Sequence, residues 1–327
     1  MIDNQIVFLC SMAMVISELA IVQFLTLSAW RQNLNAQLHS MAINNVLKKL
    51  LTEIQQHRGM VSAYLSGDKT FSHKISQLQI TINKRIPEII DLLQHSSQDQ
   101  HSQEFVLINQ SWSKLHPLVL NHLSKQESFE QHCALIVNIL NLIRDISEKS
   151  QLHQYGICPY SVVEILWHLL LDASEAVGQA RAIGSGVAAA GCCQVIERIK
   201  LGFLVTRIRD AMKRADTGID NAQIDVITSD FRNKGRRILH TNIEDFIRLI
   251  EHKLLLPDKP QVDSTSYFNQ ATETLTEIFE LFDNGEASTR QCLQQRISTI
   301  SKKRTHYLIV NLGVLIFMTF LIWNNTQ

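Results

Sequence analysis

The chain has 327 residues, 45% of them hydrophobic, with only 5 prolines and 12 glycines. So few breakers exclude a many-stranded β protein and predict helices nearly throughout, in one large or two small domains. Lys+Arg and Asp+Glu balance at 31 each, so no global field draws nucleic acid or an acidic partner, and any anion site must be local.

The first predicted element is "IVFLCSMAMVISELAIVQFLTLSAW", residues 6–30. It is long enough to span a bilayer, but Glu18 and Gln23 are costly near a bilayer centre. A spanning helix and a helix lying in the interface or docked on protein both fit. A cleaved signal peptide does not, because the basic n-region and a small-residue cleavage site are missing. The helix is predicted to continue to about residue 66. Further helices are expected at roughly 71–97, 103–124, 128–152, 160–190, 193–215, 223–256 and 264–283. The breaks between them read "SGDKTFS", "SSQDQHSQ", "QYGICPY" with Pro159 in a first turn, "ADTGIDN" and "LLPDKPQVDSTS". A last helix, from about 286, is expected to run into "YLIVNLGVLIFMTFLIW", residues 307–323. That stretch has no charge, carries Tyr307 and Trp323 as interface aromatics, and follows Lys302, Lys303 and Arg304. It reads as a transmembrane helix.

The fold class is therefore all-α. Long antiparallel helices over residues 31–305 would form two four-helix bundles sharing a long element, with one or two transmembrane helices at the chain ends. The basic residues beside both apolar segments (Arg31, Lys48 and Lys49; Lys302, Lys303 and Arg304) lie toward the middle of the chain, and the two tails have none. The positive-inside rule then places the helical domain in the cytoplasm, beneath a bacterial inner membrane. Long domains override that rule, so the periplasmic side is the alternative.

Chemistry-bearing residues are sparse. Six cysteines (Cys10, Cys133, Cys158, Cys192, Cys193 and Cys292) include no CxxC and no zinc-type spacing, and read as reduced thiols filling small core spaces. Thirteen histidines include no HExxH. No metal, no cofactor and no catalytic constellation is expected.

One stretch stands out. In "QQHRGMVSAYLSG", residues 55–67, the apolar stripe of Val46, Leu50, Ile54, Val61 and Leu65 is interrupted by His57, Arg58 and Gly59. It has an echo in "QARAIGSG", residues 179–186, which aligns Gln56 with Gln179, Arg58 with Arg181, Gly59 with Ala182 and Ser62 with Ser185. The two arginines are 181 − 58 = 123 residues apart, about four helices with their loops. Each is flanked by small residues that let a helix or a ligand approach the backbone. An arginine on a helix usually faces solvent or pairs with a carboxylate, here Glu53 or Glu175. Two guanidiniums inside a bundle with too few carboxylates would instead accommodate a flat oxyanion.

The first stretch resembles the opening signature of the nitrate- and nitrite-sensing (NIT) domain family, matching at Gln55 or Gln56, Arg58, Gly59, Ser62, Tyr64 and Leu65. "EAVGQARA", residues 175–182, resembles its second, matching at Glu175, Ala176, Gly178, Arg181 and Ala182. The resemblance covers roughly residues 35–285. It implies an all-helical domain that binds nitrate or nitrite through arginines between its bundles and signals to an output module. Arg58 and Arg181 would be the ligand pair, with Gly59, Ser62 and Ser185 beside them. A further arginine from the later helices, Arg236 or Arg237, would complete the set. The family's acidic residue before each arginine is replaced by His57 and Ala180. A protonated His57 would add a third cation; a solvated histidine is the plainer reading. Relatives carry a kinase, a methyl-accepting region, a cyclic-nucleotide enzyme or an RNA-binding antiterminator module, and none of these is legible here. The expected partners are thus nitrate or nitrite, the membrane, a separate output protein and a second copy of the chain, but not nucleic acid. A ligand-free helical membrane scaffold is the rival reading.

Overall fold

A computed structural model of the chain describes residues 2–94, 99–150, 163–221 and 229–325. The fold is all-α, without strands among the described residues. Helix α1 spans Ile2–Leu65, followed by a short 3₁₀ turn at Lys69–Phe71 capped by the Asp68 carboxylate. Then come α2 (Ser72–Gln94), α3 (Asp99–Leu115) and α4 (Lys125–Lys149), the last opened by a Ser124/Glu127 capping box. A π-helical segment, Glu164–Leu170, leads into α5 (Leu171–Ala190), which ends on Gly191 in the left-handed conformation. The remaining helices are α6 (Val195–Asn221), α7 (Ser229–Arg237), α8 (Ile243–Ile250, flanked by π-helical segments) and α9 (Ser264–Asn325).

Two compact units result, one of residues 39–289 and one of residues 1–38 with 290–327. In the smaller unit the terminal segments of α1 and α9 lie together: the Ser17 hydroxyl donates to Asn311 Oδ1 at 2.8 Å, and Arg304 stands 4.9 Å over the Phe24 ring. Both segments are long and apolar enough to cross a membrane. Glu18 and Gln23 are exposed.

In the larger unit the register follows from side-chain contacts. Glu53 accepts from Arg85 and His57 meets Gln79, so α1 and α2 run antiparallel. Asn44 donates to the Ile143 carbonyl while His57 meets His132, so α1 and α4 do too. Arg144 pairs with Asp172 across α4 and α5, and Lys234 with Glu280 across α7 and α9. One pair departs from the antiparallel expectation. Arg58 meets Glu175 and Ser62 meets Ala182, so α1 and α5 run parallel. The reason is topological: α1 to α4 reverse direction at each short connection, which brings α5 back to the direction of α1.

Three predicted boundaries are corrected. The helix expected over 103–124 ends at Leu115, because Pro117 disfavours helical backbone at His116 and supplies no N–H. α6 runs through "ADTGIDN" to Asn221, and α9 runs through the gap expected between residues 283 and 286. The glycines there are packing contacts: a Cβ on Gly218 would come within 2.9 Å of Ile165, and one on Gly285 within 2.5 Å of Leu166. Cys192 is exposed rather than in a core space. Cys158 and Pro159 lie outside the described residues.

Candidate functional site

The two arginine motifs meet face to face. Arg58, on α1, and Arg181, on α5, are 1% and 2% exposed, and each guanidinium lies over the other helix's glycine. A Cβ on Gly178 would stand 2.9 Å from Arg58 Nη2, and one on Gly59 would stand 3.1 Å from Arg181 Nε. The small residues therefore make room for a charged group crossing from the parallel helix, a reciprocal arrangement that brings both cations into the interior.

Their partners differ. Arg58 donates from Nη1 and Nη2 to the two Glu175 oxygens at 2.6 and 3.1 Å, and from Nη1 to Cys133 Sγ at 3.2 Å. Glu175 accepts further bonds from Gln55 and Gln179. Burial disfavours the Arg58 charge, but the neighbouring carboxylate outweighs it and the pKa is raised. Arg181 forms no ion pair among the described residues. Its Nη1 donates to Thr272 Oγ1 at 3.0 Å, and its guanidinium carbon lies 5.0 Å from the centre of the Phe268 ring. Burial, and then repulsion from Arg58, push its pKa down to about 9. The one carboxylate at the pair is thus committed to Arg58. The Nε groups of both arginines, together with Ser185 Oγ, are buried without a hydrogen-bond partner, which is costly unless something accepts from them.

The rest of the predicted set is dispersed. Ser62 donates to the Ala182 carbonyl at 2.6 Å, holding α1 against α5. His57 is not a solvated histidine: it is fully buried in a relay. His132 Nδ1 lies 2.6 Å from the Ser128 carbonyl and donates to it, leaving Nε2 to accept from His57 Nδ1 at 2.8 Å. His57 Nε2 then accepts from Gln79 at 3.1 Å. Burial, aided by His132 and His116, holds the His57 pKa well below 6.5, and burial, aided by Arg58, pushes that of His132 down to about 4. Both rings are neutral at pH 7, so His57 supplies no third cation. Arg236 and Arg237 are exposed at the end of α7, not buried beside the pair.

Helix α9 contributes Tyr267, Phe268 and Thr272 instead. Tyr267 is fully buried, donates to the Ala180 carbonyl at 3.0 Å, and fills the space that a Gly184 side chain would need. No motif marked these residues; in sequence they are ordinary members of an amphipathic helix. A cleft of about 210 Å³, lined in part by Ser62, Ile183 and Phe129, adjoins the pair, and the Phe129 ring centre is 5.5 Å from the Arg58 guanidinium carbon. Among the described residues no group of three His, Cys, Asp or Glu could hold a metal.

A solved structure shares this architecture. The NasR transcription antiterminator superposes with a TM-score of 0.66 at 14% identity, over 92% of this chain and 82% of that chain. At that identity the likeness concerns the fold alone. No protein-family model and no curated protein sequence matches the chain.

Proposed function

We propose that this protein is a membrane-anchored sensor of a small planar oxyanion, nitrate or nitrite, and not an enzyme. The observation that carries the reading is Arg181, a guanidinium buried to 2% exposure with no carboxylate in contact among the described residues and an unpartnered Nε. A trigonal oxyanion accepts planar, charge-assisted bonds along the edge of a guanidinium, and it would relieve the repulsion between Arg181 and Arg58. The paired motifs that resemble the nitrate- and nitrite-sensing family point the same way. So does the fold likeness to an antiterminator, since antitermination is among the outputs which that resemblance implies.

In this reading the anion draws α5 and α1 together and biases one packed arrangement over another, by no more than its difference in affinity for the two. Helices α1 and α9, which continue into the terminal apolar segments, carry the change to a separate output protein. The domain faces the cytoplasm from a bacterial inner membrane, as a monomer or homodimer. The bidentate Arg58–Glu175 pair favours a second reading, a ligand-free helical membrane scaffold in which that pair is structural.

Thermal melting of the full chain in detergent, with sodium salts matched in ionic strength, separates the two. Nitrate or nitrite raises the melting temperature above the chloride control, and Arg181→Ala removes the increment. Equal melting in all three salts would favour the scaffold.

A further inference from the structure

The first two turns of α6 present Val195, Ile196, Ile199 and Phe203 to solvent, each 64–73% exposed. Ile196, Ile199 and Phe203 recur at i, i+3 and i+7, the spacing of a helix–helix seam. The opposite face of α6 is committed to the core: Leu201, Leu204 and Ile208 are buried, so the helix cannot roll to hide the stripe. A contiguous apolar strip of this kind marks an interaction site.

What covers it is indicated by the flank. Lys200, Arg207 and Arg214 line one side at intervals of seven residues, and none of the three is in an ion pair among the described residues. A second copy would bring basic row against basic row, because Glu197, the one carboxylate of α6 before Asp210, is already paired with Lys125. The surface also opens into a hole. Ile196 and Lys200 line the 210 Å³ cleft shared with Ser62 and Ile183. A side chain from another helix fills such a hole as a knob; a lipid surface does not.

We propose that this face docks an amphipathic helix of a separate protein, with apolar residues at i, i+3 and i+7 and carboxylates along the flank that meets Lys200, Arg207 and Arg214. The docking stands on this surface alone; only its use as the readout of the arginine site, through the shared cleft, rests on the anion-sensing reading.

The test uses the full chain in phosphatidylcholine nanodiscs and two fluorescein-labelled synthetic helices of heptad design. Both have leucine at the seam positions; one has glutamate along the flanks, the other lysine. Fluorescence anisotropy is expected to show binding of the glutamate helix only, weakened about tenfold (about 1.4 kcal/mol) by Lys200→Glu with Arg207→Glu, and lost in Phe203→Asp. Helicity by circular dichroism shows that each variant is folded. Equal binding of the two peptides, or binding indifferent to the substitutions, would overturn the proposal. So would capture of phosphatidylglycerol vesicles in place of either peptide, or self-association that Phe203→Asp abolishes. Repeating the titration with nitrate separates the two levels: an affinity that nitrate changes supports the readout, and an unchanged affinity removes the readout but leaves the docking.

Discussion

Arg181→Met is expected to stabilise the protein while removing its response to anions. At Arg181 the fall in pKa to about 9 corresponds to about 5 kcal/mol against the charged form. Against that stand the hydrogen bond to Thr272, about 1 kcal/mol, and the stacking over Phe268, up to about 2 kcal/mol when desolvated. Methionine keeps the apolar stem, buries no charge and adapts to the space left, so a net gain of about 2 kcal/mol remains, in line with replacements of buried charges by apolar residues. For a unit of this size that is a rise of about 4–8 °C in melting temperature, read by circular dichroism on the full chain in detergent and anion-poor buffer. A drop of similar size would refute the reasoning, because it would mean that Arg181 has a stabilising partner and is part of the scaffold. A residue whose removal stabilises the fold and abolishes a response is one retained for function.

Other outcomes follow from the same geometry. Glu175→Gln removes the only carboxylate contacting Arg58 among the described residues and replaces one acceptor with an N–H donor facing the Arg58 donors; a loss of about 3–5 kcal/mol is expected in chemical denaturation, and a change under about 1 kcal/mol would contradict the pairing. Gly184→Ala would drive a methyl group into the Tyr267 ring, whose hydroxyl is anchored on Ala180, and should cost about 1–3 kcal/mol by overpacking. The buried histidines give a pH dependence with a definite sign. Their folded pKa values lie below 6.5, reaching about 4 for His132, so the unfolded chain binds more protons in that window. Stability is therefore full above pH 6.5 and falls as pH drops from 6.5 toward 4, by about 1.4 kcal/mol per pH unit for each histidine. His132→Gln should flatten that slope in melts between pH 7.5 and 5, and an unchanged slope would assign it to other groups.

Much of the architecture was legible because hydrophobic periodicity and turn chemistry are local. The continuous α1, the capped turn after Gly67 and the break at 256–263 could all be read from neighbouring residues. Glycines misled at Gly218 and Gly285, where a missing side chain serves a contact with Ile165 or Leu166 from a distant helix rather than a turn. Sequence alone does not distinguish those uses. The two arginines were marked by an internal echo and a family resemblance, but the asymmetry between them was not. Which one Glu175 would take depends on the parallel setting of α1 against α5, a product of topology. Likewise, Thr272 and Tyr267 reach the site from about ninety positions away, with no spacing to announce them. His57 appeared as a polar interruption suited to solvent; only the opposing His132 and Gln79 make it a buried relay.

The central claim is that Arg181 holds a planar oxyanion. Isothermal titration of nitrate, nitrite and chloride into the full-length protein, with Arg181→Ala beside it, tests this most directly. Saturable heat with nitrate or nitrite, none with chloride, and none with the folded variant is the result predicted here. Folded wild-type protein that takes up none of the three would contradict it and leave the helical membrane scaffold in its place.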